Sequence, residues 1–272
     1  MSLRQRTFLV ILISFLLLLT MIISGILIGD KKLGINPATM NLEPSLKYLF
    51  GTDWLGRDML ARTLKGLSLS FGVGILAAFA SAMIALTLSL LASWNEALDR
   101  IVTWLIDLFL SVPHLVLLIL ISFAMGGGFQ GVVIGLALTH WPSLTRVLRA
   151  EMLQVKTAKY VGLSEQLGKS RLWIARYHLL PHLLPQLFIG FVLLFPHAIL
   201  HEAAITFLGF GLPSEQPAIG IILSESMRYL STGKWWLAAF PGLSLLLMVV
   251  LFDILGQSLR KWMDPFHGQK GV

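Results

Sequence analysis

Cysteine is absent from the 272 residues, and charge is scarce. Without cysteine there are no disulfides, no iron–sulfur ligation and no thiolate metal sites, so any bound metal must use His, Met or oxygen ligands. Asp, Glu, Lys and Arg make up 13% of the chain, against 56% hydrophobic residues and a mean hydropathy of +0.79. A soluble domain of this length carries about twice that charge on its surface. The excess apolar surface needs lipid as its solvent. The net charge of +7 does not then indicate nucleic acid. It reads as cationic loops facing the cytoplasm and anionic headgroups.

Uncharged runs set out the spans. Thr7 to Ile28 is uncharged for 22 residues and follows Arg4 and Arg6. It is too long for a signal-peptide core and lacks a small-residue cleavage site, so it reads as a first span. Gly66 to Asn95 is also uncharged, and Ile101 to Thr145 holds only Asp107. The latter is too long for one span, and Gly126-Gly127-Gly128 divides it. The expected helices cover about 7–28, 68–92, 101–124, 130–146, 183–207 and 236–259, in one domain over 1–272. Polar loops fall at 29–65 and 209–235, and a basic segment at 147–182. With six spans, one side holds 13 Lys and Arg and the other 8. The positive-inside rule places both termini and the basic segment in the cytoplasm. The fold class is all-α and integral to the membrane.

Catalytic motifs fail by single residues. Gly168-Lys169-Ser170 resembles the end of a phosphate-binding loop, but the pattern needs glycine at 163, where Leu163 stands. His201-Glu202 begins an H-E-x-x-H zinc motif whose second histidine would be Ile205. The inverse motif needs Glu where Leu200 stands, and no G-x-S-x-G occurs. The chain is not expected to be an enzyme.

Residues 51–62 read G-T-D-W-L-G-R-D-M-L-A-R, and 202–213 read E-A-A-I-T-F-L-G-F-G-L-P. Trp235-Trp236 precedes Pro241-Gly242, and the chain closes with L-R-K-W-M-D-P at 259–265. In this order the four segments resemble the permeases of the dipeptide, oligopeptide and nickel family of ABC importers. The resemblance implies a type I permease fold in the inner membrane, beside a second, homologous permease. It also implies two ATPase subunits that bind ATP and Mg, and an extracytoplasmic substrate-binding protein.

Residues 160–185 resemble that family's ATPase-docking loop. Gly168, His178, Leu180 and Pro181 match it, while Gly162-Leu163-Ser164 stand where the family has E-A-A and His182 where it has Asn. Lys156 to Leu167 is expected to form a short helix at the membrane face. Tyr160, Val161 and Leu163 would offer an apolar knob to a partner groove, with Gly168 ending the helix. An ordinary basic membrane-surface helix is the alternative.

Asp107, Glu202, Asp253, His114, His140, His197 and His201 fall within apolar segments. A carboxylate there costs on the order of 3 kcal/mol and must face protein or water. Asp107 and Asp253 read as structural, and His140-Trp141-Pro142 as interfacial. His197 and His201 are four apart and share a helix face. Imidazole suits nickel, cobalt, copper and zinc. The run P-H-A-I-L-H resembles G-H-x-x-L-H of the family's nickel-type members, and Glu202 matches the family's glutamate. His197, His201 and Glu202 are therefore candidate pathway residues, with both histidines as metal ligands. The alternative is that they only hydrogen-bond between helices. Nickel or a related ion, free or chelated, is the first expected cargo and a di- or oligopeptide the second. A passive channel subunit is the remote third.

Overall fold

The computed structural model describes residues 3–29 and 33–263. Asp264 and Pro265, the end of the 259–265 resemblance, lie outside them. Ten helices account for most of the described chain: α1 Leu3–Leu27, α2 Met59–Ala92, α3 Glu96–Ser111, α4 His114–Ala124, α5 Gly128–Lys156, α6 Lys159–Gln166, α7 Arg171–Ile174, α8 Leu180–Phe207, α9 Ile219–Leu230 and α10 Trp236–Met263. No β-strand is named among the described residues.

Four helical rods are long and apolar enough to cross a membrane: α1, α2, the continuous stretch 171–207, and α10. Two expected spans differ from the sequence pattern. The helix expected over 101–124 is broken: α3 and α4 meet at a bend of 99°. Pro113 lacks the amide that would continue the helix and pushes Val112 into an extended conformation. The span expected over 130–146 lies inside α5, which is too polar to qualify alone. It can be polar because α2, α4 and α8 enclose it. Gly131, Gly135, Thr139, His140 and Thr145 are buried there, and Ser81 of α2 donates to the Ala137 carbonyl at 2.9 Å. A helix shielded from lipid by protein need not be apolar.

Three further boundaries move. α2 starts at Met59 rather than 68, because Asp58 caps it by accepting from Leu60 N and Ala61 N. α5 runs ten residues beyond 146. Its Leu148, Met152 and Val155 pack into a cluster with Val102, Val161, Ile174 and Leu183. α9 occupies the segment read as a loop, burying Ile219, Ile222 and Ser226 at helical spacing. Pro181 and Pro185 sit inside the continuous rod 171–207. A π-turn at Ala175–Leu179 precedes Pro181, and such a turn re-registers the backbone where a proline withholds its N–H.

The two ends of the bundle are distinct. At one end, Lys156 Nζ donates to the Ser93 carbonyl (2.9 Å) and Arg171 to the Trp94 carbonyl (2.8 Å), so the α2–α3 turn meets the basic segment. Arg149 holds Asp99 there through two hydrogen bonds of 2.5 Å. At the other end, Trp54 stacks on Tyr229 (4.7 Å) and Phe50 on Phe240 (4.6 Å), joining loop 33–58 to α9 and α10. The C-terminal end of α1 also lies here, with the Ile22 carbonyl accepting from Ser68 Oγ at 3.0 Å. The polar loops therefore pair as the charge count orders them.

The segment 51–58 builds that outer end. Thr52 Oγ1 accepts from Leu42 N (2.8 Å). Asp53, fully buried, accepts from the amides of Leu55 and Arg57 (2.9 Å each), from Arg57 Nε (2.6 Å) and from Arg62 Nη1 (3.2 Å). Gly56 has φ +73°, and a Cβ there would lie 1.9 Å from the Asn36 carbonyl oxygen, so no other residue fits. Arg62, 3% exposed, reaches across to Glu225 of α9. A buried charge is tolerable only when paired and hydrogen-bonded on all sides. Asp53→Ala would leave Arg62 with Glu225 alone and is expected to cost about 3 kcal/mol or more. Glu225→Gln, at the half-exposed end of the network, is expected to cost about 1 kcal/mol. Thermal unfolding of the two purified variants in detergent measures the order, and equal losses would contradict this account.

Candidate functional site

Two places concentrate the candidate side chains. The first is in the bundle, where the α3–α4 break meets α5 and α8. His114 opens α4 directly after Pro113, His140 lies mid-way along α5, and His201 lies on α8. Their rings pack together, with centroids 4.3 Å apart for His114–His201, 4.6 Å for His114–His140 and 5.1 Å for His140–His201. His140 Nε2 is 3.1 Å from His201 Nδ1. One nitrogen from each of the three rings lies within 4.8 Å of the others. The interfacial position expected for His140 is thus corrected. It is 7% exposed because α5 is wrapped by protein.

His201 belongs to this group, but His197, one turn earlier on α8, is exposed and stands outside it. Glu202 is fully buried and turned away. Its Oε1 accepts from Thr206 Oγ1 at 2.9 Å, and Thr206 Oγ1 in turn accepts from Leu212 N at 3.2 Å. The segment 202–212 is thereby folded back on itself. Asp107, expected among apolar neighbours, is exposed and pairs with Arg146 at 3.0 Å. Asp253 accepts from Gln257 (2.7 Å) beside a cavity of about 920 Å³ between α5, α8 and α10. That cavity also holds the Glu151–His182 pair at 2.8 Å.

The second place is α6. Tyr160, Leu163 and Leu167 are exposed, whereas Val161 is 1% exposed and anchors α6 in the cluster beneath. Val161 is thus the root of the expected knob rather than part of its face, and Leu167 takes its place. Gly162 has open space around it and Gly168 ends the helix at φ +74°. Ser164 Oγ is hydrogen-bonded to His178 Nε2 at 2.9 Å, and the Tyr160 and Trp173 rings flank that imidazole. This ties α6 to the π-turn and so to the rod that carries His201. Sequence spacing could not reveal the His114–His140–His201 group, since its members are 26 and 61 residues apart.

A bundle of apolar helices with a broken span, a polar central helix and an exposed apolar patch on a short surface helix is the architecture of a multi-pass membrane protein. Residues 85–265 match the model of the family described as binding-protein-dependent transport system inner membrane component, and the chain belongs to that family. It is 32% identical over 266 residues to a putative peptide transport system permease of Brucella suis, covering 96% of this chain and 88% of that one. It is 31% identical over 256 residues to a probable D,D-dipeptide transport system permease of Escherichia coli, covering 94% and 86%. Among solved structures, a chain of the inward-facing MetNI methionine ABC transporter aligns with a TM-score of 0.61 at 21% identity, over 75% of this chain and 98% of that chain. The protein is a multi-pass inner-membrane permease with the type I ABC importer fold.

Val161→Asp would bury an unpaired carboxylate and is expected to cost about 3 kcal/mol. Leu163→Asp, 57% exposed, is expected to stay within about 0.5 kcal/mol of the parent. Thermal unfolding of the purified variants separates root from face.

Proposed function

We propose that this chain is the permease subunit of an ATP-driven importer of di- or oligopeptides. The reading is carried by its similarity, along nearly the whole chain, to permeases named for peptide transport. In this reading a second, homologous permease completes the pathway. Two ATPase subunits bind ATP and Mg and dock on the α6 face. An extracytoplasmic binding protein delivers cargo to the outer end built by loop 33–58 and α9. ATP binding closes the ATPases, and α6 passes the movement to the rod 171–207, so that the two permeases rock between inward and outward openings. A passive channel would have no use for such a docking helix.

A second cargo, nickel or a related transition metal, free or chelated, is favoured by one observation: three imidazoles converge in the bundle. Uptake by cells carrying the full transporter tests both. With labelled dipeptide, uptake is expected to require ATP hydrolysis and to fall at least tenfold in Leu163→Asp, with the ATPases no longer co-purifying. Labelled nickel entering in preference to dipeptide, and not displaced by it, would reverse the order of the two cargoes. Uptake that persists when ATP hydrolysis is blocked would return the channel.

A further inference from the structure

We propose that His114, His140 and His201 bind one divalent first-row transition ion where the α3–α4 break, α5 and α8 meet. The binding claim stands on geometry, and it rests on the metal-cargo reading only for what the ion's presence accomplishes.

The argument begins with protons. His140 Nδ1 lies 2.9 Å from the Leu136 carbonyl oxygen, which can only accept. The ring must donate there, which leaves the lone pair of Nε2 free and aimed at His201. This is the arrangement that orients metal-binding imidazoles, with the far nitrogen anchored to a carbonyl and the near one presented. His201 Nδ1 is 3.1 Å away. Two ligands of one tetrahedral ion with bonds of 2.0–2.1 Å lie about 3.3 Å apart, so these two nitrogens already sit near ligand spacing. Without an ion, His201 donates Nδ1–H to His140. With one, the His201 proton moves to Nε2, and both lone pairs face the ion.

His114 distinguishes a metal site from a mere hydrogen-bonded pair. Neither of its ring nitrogens has a hydrogen-bond partner among the described residues, and both are shielded from solvent. A buried donor and acceptor left unmade is costly, and no protein group nearby satisfies either one. Its ring packs against both other histidines, and its ligand nitrogen lies within 4.8 Å of theirs. Being the first residue of α4, just past Pro113, it can swing inward without disturbing a helix interior.

The donor set selects the ion. Three neutral imidazoles suit nickel, cobalt, copper and zinc and reject magnesium and calcium, which need oxygen. No carboxylate or thiolate belongs to the group, so the ion keeps its full charge. Three protein ligands leave at least one position open. Such a site exchanges its ion, as a station on a pathway must, instead of locking it in place.

The test uses the assembled transporter in lipid nanodiscs, without ATP, and equilibrium dialysis against nickel, then cobalt, with bound metal counted by mass spectrometry. One ion per copy of this chain is expected. Its affinity should fall at least about tenfold in each of His114→Gln, His140→Gln and His201→Gln, and stay unchanged in His182→Gln, a histidine at the cytoplasmic cavity. Copper bound in place of nickel should show nitrogen hyperfine splitting that weakens in the same three variants. Thermal unfolding and ATPase co-purification identify any variant that fails to fold, and for that position the alanine variant replaces glutamine. No stoichiometric binding would overturn the proposal. So would loss in His197→Gln with retention in His114→Gln, which would return the site to a pair on α8. Binding occurs here without transport. Metal bound but not imported would leave the site standing and remove only the metal-cargo reading.

Discussion

Inside a bilayer a polar group has no water to fall back on, so each must find its partner within the protein. This constraint orders the whole structure. The chain carries few charges, and most of those near the bundle occur in closed sets. Arg62 is shared by Asp53 and Glu225, and Arg149 takes Asp99 through Nε and Nη2. The first set fixes the outer loop to α9, and the second fixes α5 to the start of α3. Helix α5 meets the same constraint differently. It is too polar to face lipid, and the helices around it supply the apolar coat that its own sequence lacks. The places where polar residues gather are therefore the places where helices are held together.

Irregular backbone follows the same logic. The 99° bend at Val112-Pro113 and the π-turn at Ala175–Leu179 would each expose polar backbone if they faced hydrocarbon. The π-turn instead lies at the cytoplasmic end, beneath α6, where Ser164 and the rings of Tyr160 and Trp173 enclose His178. From His178 to His201 the rod runs 23 residues, about 35 Å at helical rise. One continuous helical element thus links the level of α6 to the level of the three imidazoles. Its regular α-helical backbone is interrupted by the π-turn near its start, and Pro185 and Pro196 lie within it. The link is a packed mechanical one, with both of its ends named.

The spans written as uncharged runs were legible: α1, the core of α2, the C-terminal half of the rod and α10 follow from hydropathy alone. What hydropathy hid has a common cause. The start of α2 contains Arg62 and Lys65, whose charge imitates a loop, although Arg62 is buried because distant residues neutralise it. The first arginines of α5 imitate a helix end, although Arg149 has a bidentate partner fifty residues upstream in α3. α9 was masked by the glycines and proline around it, yet its apolar residues recur at helical spacing. For the site, His201 was legible from its neighbours in sequence. His114 and His140 were visible only as isolated histidines, since no local period links them. The inward side of α6 was equally hidden, because three apolar residues in five cannot show that Val161 is the one that faces the core.

The same reasoning bears on cargo. The segments that carry the family resemblance serve the scaffold in this structure. Thr52, Asp53, Gly56 and Asp58 fold the outer loop and cap α2, while Glu202 and Thr206 close the turn after α8. Residues spent in this way record a shared frame and say little about what passes through it. Fold and function are separable for that reason. The three imidazoles are different in kind. A scaffold has no need to bury a ring with both nitrogens unpartnered, and packing alone would be served better by an apolar side chain of similar size. Whatever cargo the frame was built around, the His114 ring, buried against His140 and His201 with neither nitrogen paired, answers no requirement of packing.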